Sequence, residues 1–304
     1  GTATVLVSGI SRADGLTLHP SGALYVTSEL SGPSTTNRVF RIDVMYDPDN
    51  VPLSATATGI TTTIAINNPE GIVALPADND FGSAGDLYVC EDRSPGRVFH
   101  LVLGSDDGAV ASILVDMDAN LHRPEGLALG DFHGALPAPM LFTAETSDDN
   151  VLQIDPAGGV NVLGDPTAVF MDQPDNVKFG HDGMLYVSED IGAQHGRILR
   201  IAADGTHEVV LAGFEFPQGM AFDVARRDLY IAEQGANRVW RARFHTATGD
   251  ADADGDVDLS DIASFERCFG ATPTTAGCLV FDFDRDDTID LEDFAALLGV
   301  VSGP

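Results

Sequence analysis

Apolar and polar residues alternate along the first 245 residues in a pattern that repeats five times. Each repeat opens with a short apolar segment that carries an acid or an amide near its start. These first segments read ADGLTL at 13, PEGIVAL at 69, PEGLAL at 124, PDNVKF at 174 and PQGMAF at 217. Apolar and β-branched residues bounded by turn-forming residues predict a β-strand in each segment.

Two longer segments follow in every repeat, and both have the alternation of a half-buried strand. The second reads ALYVTSE at 23, DLYVCED at 86, MLFTAET at 140, MLYVSED at 184 and DLYIAEQ at 228. The third reads NRVFRID at 37, GRVFHLV at 96, NVLQIDP at 150, GRILRIA at 196 and NRVWRAR at 237. A fourth strand is predicted at TTTIAI (61), ASILV (111), GVNVL (159) and HEVVL (207), and ATVLV at 3 precedes the first repeat.

Four strands in each repeat of about 50 residues are typical of the blades of a β-propeller. The last repeat ends at Arg243 without a fourth strand of its own. We therefore expect the N-terminal ATVLV segment to complete the last blade and close the ring, which would cover two open sheet edges. The sequence predicts an all-β propeller of five four-stranded blades over residues 1–245.

The strand motifs resemble those of the NHL and SMP-30/gluconolactonase-like propellers across residues 1–245. The resemblance implies a scaffold, and one scaffold can carry many functions. Lactonases of that group have six blades and hold one divalent metal in the central channel through Glu, Asn and Asp side chains. The resemblance therefore adds a metal-dependent lactone hydrolase as an alternative function, with its site in the propeller channel.

Residues 246–304 contain two acidic segments of twelve residues, at 250–261 (DADADGDVDLSD) and 282–293 (DFDRDDTIDLED). Each has a carboxylate at positions 1, 3, 5, 9 and 12. Ca²⁺ takes six to eight oxygen ligands, and an EF-type loop supplies them at this spacing. The predicted ligands are Asp250, Asp252, Asp254, Asp256, Asp258 and Asp261 in the first loop, and Asp282, Asp284, Asp286, Thr288, Asp290 and Asp293 in the second.

The two loops resemble a type I dockerin, a small α-helical module that binds a cohesin partner in extracellular assemblies. The resemblance runs from residue 249 to the end of the chain. It implies two bound Ca²⁺ ions and a cohesin-like partner, or self-association of this chain. Asp287 departs from the family, because it stands at position 6 of the second loop where Gly is usual. Dockerins often carry small hydroxyl residues at positions 10 and 11, where this chain has Leu259 and Ser260, then Leu291 and Glu292.

The chain is strongly acidic, with 47 acidic and 16 basic residues among 304 and a net charge of −31. This charge disfavours nucleic acid and anionic membrane surfaces as partners. No apolar run approaches the roughly 20 residues that a membrane span requires. EF-type loops fill more readily at extracellular than at resting cytosolic calcium levels. The first residue is Gly1 rather than Met, which is consistent with a removed leader or with a cloning remnant. We expect a secreted or cell-surface protein.

The chain has three cysteines, and two of them bear on whether the protein is secreted. Cys268 and Cys278 lie ten positions apart between the two calcium loops, and a disulfide across this linker fits a secreted module. Two buried thiols are the alternative. Cys90 lies in a strand pattern, where we expect it to pack as a small apolar residue.

Acidic side chains recur at two places in the propeller repeats. The first set follows the start of each repeat and comprises Asp14, Glu70, Glu125, Asp175 and Gln218. The second set ends the second segment and comprises Glu29, Glu91, Glu145, Glu189 and Glu233. Five crowded carboxylates would raise one another's pKa values, so a ring of this kind needs a cation or arginine partners.

The favoured interpretation of this ring is structural, with each carboxylate accepting backbone N–H groups and pairing with an arginine. Arginines recur five to nine residues later in four of the five repeats, as Arg38, Arg97, Arg197 and Arg238. A divalent cation in the channel and a catalytic site are the alternatives.

Residues that break the repeat are better candidates for chemistry. His122 lies two residues before a repeat begins, and His195 follows a second strand; either imidazole could be a general base, with Glu125 nearby in sequence. No nucleophile elbow, phosphate-binding loop or HExxH helix is present. Aromatic residues make up only 7% of the chain, so a sugar-binding surface lacks the stacked aromatic side chains that usually support it.

The sequence thus predicts a secreted calcium-binding propeller that acts as a binding or assembly protein, attached through its dockerin-like module. A metal-dependent lactonase is the second hypothesis. A carbohydrate-binding component of an extracellular complex is the third, with a glycan as its ligand.

Overall fold

The computed structural model describes residues 5–48, 51–164, 171–223, 226–244, 249–251, 256–272, 278–284, 286 and 288–301. The chain divides into two compact units. The N-terminal body comprises Gly1–Met220 and Ile231–Val239, and the C-terminal body comprises Ala221–Tyr230 and Trp240–Pro304. The predicted boundary between residues 245 and 246 lies outside the described residues and stays a prediction.

The first three segments of every repeat form strands. Repeats 1 and 2 give β1 (Ala13–Leu18), β2 (Leu24–Ser28), β3 (Val39–Tyr46), β4 (Pro52–Thr62), β5 (Pro69–Ala74), β6 (Leu87–Glu91), β7 (Arg97–Leu103) and β8 (Gly108–Asp116). Repeats 3 and 4 give β9 (Pro124–Gly130), β10 (Met140–Glu145), β11 (Asn150–Ile154), β12 (Val160–Val162), β13 (Pro174–Phe179), β14 (Leu185–Glu189), β15 (Gly196–Ile201) and β16 (His207–Phe214). Repeat 5 gives β17 (Pro217–Asp223), β18 (Asp228–Glu233) and β19 (Arg238–Arg243).

These strands form four sheets within the described residues, where the sequence predicts five separate ones. The first eight strands share one sheet in the order β1-β2-β3-β4-β8-β7-β6-β5. The two halves join because Thr61 and Thr62 of β4 pair in parallel with Gly108 and Ala109 of β8. Strand β4 (Pro52–Thr62) includes only the first two residues of the predicted TTTIAI strand at 61–66, so the apolar residues of that segment, Ile64, Ala65 and Ile66, lie outside the strand.

Repeats 3 and 4 each form a four-stranded antiparallel sheet, and repeat 5 forms a three-stranded sheet. The predicted closing strand at ATVLV is not formed by its described residues, since residues 5–10 are not in a strand. Val5 leaves 81% of its surface exposed, whereas Leu6, Val7 and Ile10 are partly buried. Residues 3 and 4 lie outside the described part of the chain.

The first strands of successive repeats pack side by side with their backbones very close. A Cβ atom on Gly15 would lie 2.4 Å from the carbonyl oxygen of Glu70, and one on Gly71 would lie 2.2 Å from that of Glu125. Only glycine permits this approach. The acids that precede these glycines are therefore brought together, which positions the first set of carboxylates.

A residue with a left-handed backbone precedes the first strand of every repeat, and it fixes which positions are equivalent. These residues are Arg12, Asn68, Arg123, Gln173 and Phe216, with φ between 47° and 55°. Each carbonyl accepts an N–H from the residue after the second strand. The donors are Glu29, Asp92, Thr146, Asp190 and Gln234.

Buried apolar residues fill the space between neighbouring repeats of the N-terminal body. Val39, Ile72 and Phe99 belong to one cluster of repeats 1 and 2. Comparable clusters join repeats 2 and 3 and repeats 3 and 4. These cores hold the strand ends, where the polar residues lie, in fixed positions.

The C-terminal body contains two loop–helix segments. Helix α1 (Leu259–Cys268) follows the first acidic loop and α2 (Leu291–Val300) follows the second, with a short 3-10 helix at Leu279–Phe281 between them. Both helices begin with a capping box, in which the N-cap aspartate and the aspartate three residues later bond to each other's backbone. Cys268 and Cys278 form a disulfide.

Candidate functional site

The last carboxylate of each acidic loop is buried and held by backbone N–H groups. Asp261 accepts N–H groups from Ala251 at 2.6 Å and from Asp258 at 2.9 Å. Asp293 accepts them from Phe283 at 2.6 Å and from Asp290 at 3.0 Å. These bonds fold each loop back on itself, so that its last carboxylate returns to its first residues.

Carboxylates gather inside both loops as a result. Asp282, Asp284 and Asp293 present ligand atoms within 4.8 Å of one another, and so do Asp256, Asp258 and Asp261. Three carboxylates this close repel one another, and a cation among them relieves the repulsion. Arg243 supplies a positive charge beside Asp282, at 3.5 Å. The donor set consists of hard oxygen atoms, which suits Ca²⁺.

The other predicted ligands vary in what the structure shows. Asp286 accepts the N–H of Thr288 at 2.8 Å, and Asp290 accepts that of Glu292 at 2.8 Å. Asp250 is described near the start of the first loop. Asp252 and Asp254 lie outside the described residues.

The first set of propeller acids contributes to a third group of carboxylates, in which Asp14 and Glu70 present ligand atoms within 4.8 Å of one another and of Glu29. Glu125 and Asp175 interact electrostatically with this group. Burial raises the pKa of Glu70 to about 11, and the charges of Asp14 and Glu125 add to the effect. Burial also raises the pKa of Glu125 to about 8, with a further contribution from Asp92. The pKa of Asp175 is raised by burial and then by Glu125. The cluster therefore favours either protons or a bound cation.

Polar groups next to this cluster complete its surroundings. Arg123 bonds Asp92 through two nitrogens, at 2.8 and 3.1 Å, and lies 3.9 Å from Glu125. Buried Oδ1 atoms of Asn176 and Asp190 have no hydrogen-bond partner among the described residues. Asn176 stands where the other four repeats have Gly, so this amide is particular to repeat 4.

The second set of propeller acids has four equivalent members, and Glu29 is not one of them. Glu91, Glu145 and Glu189 each pair with the proline that starts the first strand of their repeat. In repeat 1 that place belongs to Ser28, which pairs with Ala13. Glu29 lies one residue further on and forms an ion pair with Arg12. The five-fold Glu ring of the sequence is thus offset by one residue in repeat 1.

Three of these glutamates hold the chain just before the neighbouring first strand. Glu91 accepts the N–H of Asn67 at 2.7 Å, and Glu189 accepts that of Asp172 at 2.9 Å. Glu233 accepts the N–H of Glu215 at 2.7 Å.

Two of the four predicted arginine partners form ion pairs with these glutamates. Arg197 pairs with Glu189 and Arg238 pairs with Glu233. Arg97 instead pairs with Asp116, and Arg38 donates to backbone carbonyls.

Glu145 of repeat 3 has different partners. Its two oxygens accept the N–H groups of Ser147 at 2.9 Å and Asp148 at 2.8 Å, both in its own loop. Nδ1 of His122 lies 3.0 Å from Oδ2 of Asp148. His122, Glu145 and Asp148 present ligand atoms that all lie within 4.8 Å of one another.

The three candidate catalytic residues do not form one group with described contacts. Glu125 accepts a hydrogen bond from the Thr146 hydroxyl at 3.3 Å. Thr146 directly follows Glu145, whose carboxylate lies near the His122 ring. His195 is exposed, and no hydrogen bond or ion pair to its ring is seen in the described part of the chain. No described helix is long and apolar enough to cross a membrane.

No protein-family model matches the chain, and no curated protein matches it either. Solved structures do match. A catalytically inactive variant of virginiamycin B lyase from Staphylococcus aureus, solved with quinupristin, is 18% identical with a TM-score of 0.51; the match covers 78% of this chain and 68% of that one. A putative gluconolactonase is 16% identical with a TM-score of 0.52, over 76% of this chain and 73% of the other.

A third similar structure is the PQQ-bound aldose sugar dehydrogenase from Streptomyces coelicolor. It is 17% identical with a TM-score of 0.55, and the match covers 80% of each chain. At this level of identity the similarity shows the fold alone. The chain has a mostly-β, propeller-like fold.

Proposed function

We propose that this chain is an extracellular calcium-binding β-propeller protein that serves as a binding and assembly component. Its C-terminal body would attach it to a cohesin-like partner or to other copies of the chain. The observation that carries the proposal is the duplicated loop–helix segment, in which a buried aspartate gathers two further carboxylates. Five successive strand repeats support the further proposal that the propeller has five blades.

Calcium would act in this proposal as a structural clamp. Residues 246–304 hold 14 acidic and 2 basic residues, a net charge of −12 that opposes compaction. Two Ca²⁺ ions would neutralise four of these charges at the two places where the carboxylates converge. The second loop would use Asp282, Asp284 and Asp293, and the first would use Asp256, Asp258 and Asp261.

Calorimetric titration of the full chain with Ca²⁺, after treatment with a chelator, tests the metal sites. We expect two ions per chain, with one lost in Asp261→Asn and the other in Asp293→Asn. Glu266→Gln is the matched control, because Glu266 is an exposed acid on α1 outside both loops. Retention of two ions in both loop variants would refute the assignment.

Sedimentation of the full chain with Ca²⁺ or chelator, alone and with a cohesin domain, tests the attachment role. We expect association with the cohesin or between copies in Ca²⁺, and its loss in chelator and in Asp293→Asn. Identical sedimentation under all conditions would remove the assembly proposal while leaving the calcium sites intact.

The carboxylate cluster of the N-terminal body favours a second candidate, a metal-dependent hydrolase of the lactone class. Asp14, Glu29 and Glu70, whose ligand atoms all lie within 4.8 Å of one another, would hold the metal, which would activate a water molecule when bound. The propeller-like similarity to a putative gluconolactonase is consistent with this candidate. A panel of lactones with Zn²⁺, Mn²⁺ or Ca²⁺ tests it, and turnover that persists in Glu70→Gln would argue against this site.

A further inference from the structure

In repeats 2 and 4, the buried glutamate at the end of the second strand lies opposite an arginine of the third strand. Glu91 faces Arg97 across β6 and β7. In repeat 4, Ser188 pairs with Ile198, so the next pair outward is Glu189 and Arg197. A positive charge is therefore available on the neighbouring third strand. The same glutamates also hold the backbone N–H two residues before a first strand.

Repeat 3 has lost this positive charge. Glu145 faces Asn150 across β10 and β11, at the position that arginine occupies in the other four repeats. Directly paired residues of an antiparallel sheet project to the same face, so the asparagine takes the arginine's place beside the carboxylate. The buried Oδ1 atom of Asn150 has no hydrogen-bond partner among the described residues. Repeat 3 therefore has an amide oxygen, which is a hydrogen-bond acceptor, where the other repeats have the guanidinium cation of an arginine.

Two further ligand-type side chains have been brought to the same place. His122 lies two residues before Pro124, in the position of Asn67 and Asp172. Its backbone N–H does not bond to Glu145, which is held by its own loop instead. The His122 ring approaches Asp148, and the three side chains converge within 4.8 Å.

We propose that His122, Glu145 and Asp148 form a binding site for a divalent transition-metal ion, with Zn²⁺ as the expected occupant. One imidazole and two carboxylates are ligands that Zn²⁺ accepts at about 2.0–2.2 Å. With a neutral imidazole, the dication balances the two carboxylates. The Asn150 oxygen or a water molecule can supply a fourth ligand. The metal thus replaces the arginine that pairs with the equivalent glutamate in repeats 4 and 5, and the site shares no residue with the C-terminal calcium loops.

Zn²⁺ binding to the full chain tests the proposal. The titration is made by competition with a chromophoric chelator in millimolar Ca²⁺, which occupies the C-terminal loops, and Co²⁺ spectra report the ligand type. We expect one Zn²⁺ per chain, and a loss of affinity of at least about 100-fold in His122→Ala and in Asp148→Asn. The exposed His195→Ala variant is the matched control and should bind as the parent does.

Asn150→Arg provides the most specific result. This change restores the residue of the other repeats, so the arginine should pair with Glu145 and displace Zn²⁺ without loss of fold, as circular dichroism would report. Absence of Zn²⁺ binding to the parent chain would overturn the proposal, because the three side chains would then be a hydrogen-bonded group only. Unchanged Zn²⁺ affinity in His122→Ala, Asp148→Asn and Asn150→Arg would overturn it equally.

Discussion

Glu145 faces Asn150 across β10 and β11, whereas Glu91 faces Arg97 at the equivalent place one repeat earlier. The same buried carboxylate is therefore supported in different ways in a repeated framework. In repeats 4 and 5 an arginine pairs with it directly. This difference separates the glutamates that support the fold from the one that we assign to a metal.

Arg197→Met should destabilise the N-terminal body by about 2 kcal/mol or more, because it leaves the fully buried Glu189 without its ion-pair partner. Arg41→Met is the control: Arg41 pairs with Asp43 and Asp107, both of which have solvent-accessible side chains, so the substitution should cost about 1 kcal/mol or less. Urea unfolding of both variants measures the difference. Equal losses would show that Glu189 does not need its arginine.

Lys178 should titrate far below an ordinary lysine. Burial lowers its pKa to about 8, and its ammonium donates to the carbonyl of Leu127 at 3.2 Å. It is the chain's only lysine, so its NMR signals can be followed through a pH titration without ambiguity. A midpoint near the ordinary value of 10.5 would show that the ammonium is solvated.

The same group predicts how stability depends on pH. Between pH 8 and 10.5 the unfolded chain binds the proton that the folded chain has released, so stability should rise with pH across this range. Lys178→Met should lack this rise and should be more stable at pH 7, by on the order of 3 kcal/mol. Parallel unfolding curves of parent and variant at all pH values would contradict this prediction.

Gly71→Ala should be strongly destabilising, because its methyl group would lie 2.2 Å from the backbone oxygen of Glu125. We expect a loss of about 3 kcal/mol or more. Gly219 holds the same place in repeat 5, but a methyl group there would meet nothing closer than 4.0 Å. Gly219→Ala should therefore cost about 1 kcal/mol or less, and thermal melts that shift equally would disprove the packing argument.

The disulfide should stabilise the C-terminal body. Cys268 and Cys278 close a loop with a sequence separation of 10 residues, for which chain entropy predicts about 3 kcal/mol. Hydrogen exchange of the amides of α1 and α2 in the double variant Cys268→Ser, Cys278→Ser measures the loss. Unchanged protection in saturating Ca²⁺ would show that metal alone holds these helices.

Strand alternation predicted the repeated strands well, because each repeat carries its own apolar segments and turn residues. The registers were less predictable. Glu29 aligns with the other glutamates in the sequence. In the structure, however, repeat 1 is offset by one residue, so Ser28 occupies the position equivalent to those glutamates. The N-terminal segment has the composition of a strand, but composition does not specify a pairing partner, and Val5 is exposed.

The candidate sites divide in the same way. Ligand spacing within one short loop is visible in a sequence, so the gathering of Asp282 with Asp293 follows from their positions. The group around Glu145 combines residues from two loops, and only the strand pairing brings them together. The missing arginine of repeat 3 was the signal in the sequence, since Asn150 interrupts a pattern that the other repeats keep.

Arg243 lies in the C-terminal body with 8% of its side chain exposed, 3.4 Å from Asp228 and 3.5 Å from Asp282. Asp282 is also the first predicted ligand of the second calcium loop. Any Ca²⁺ that binds there must compete with a guanidinium group already beside the carboxylate. The affinity of the second loop is therefore set partly by an internal competitor, and Arg243→Ala should tighten calcium binding at that loop alone.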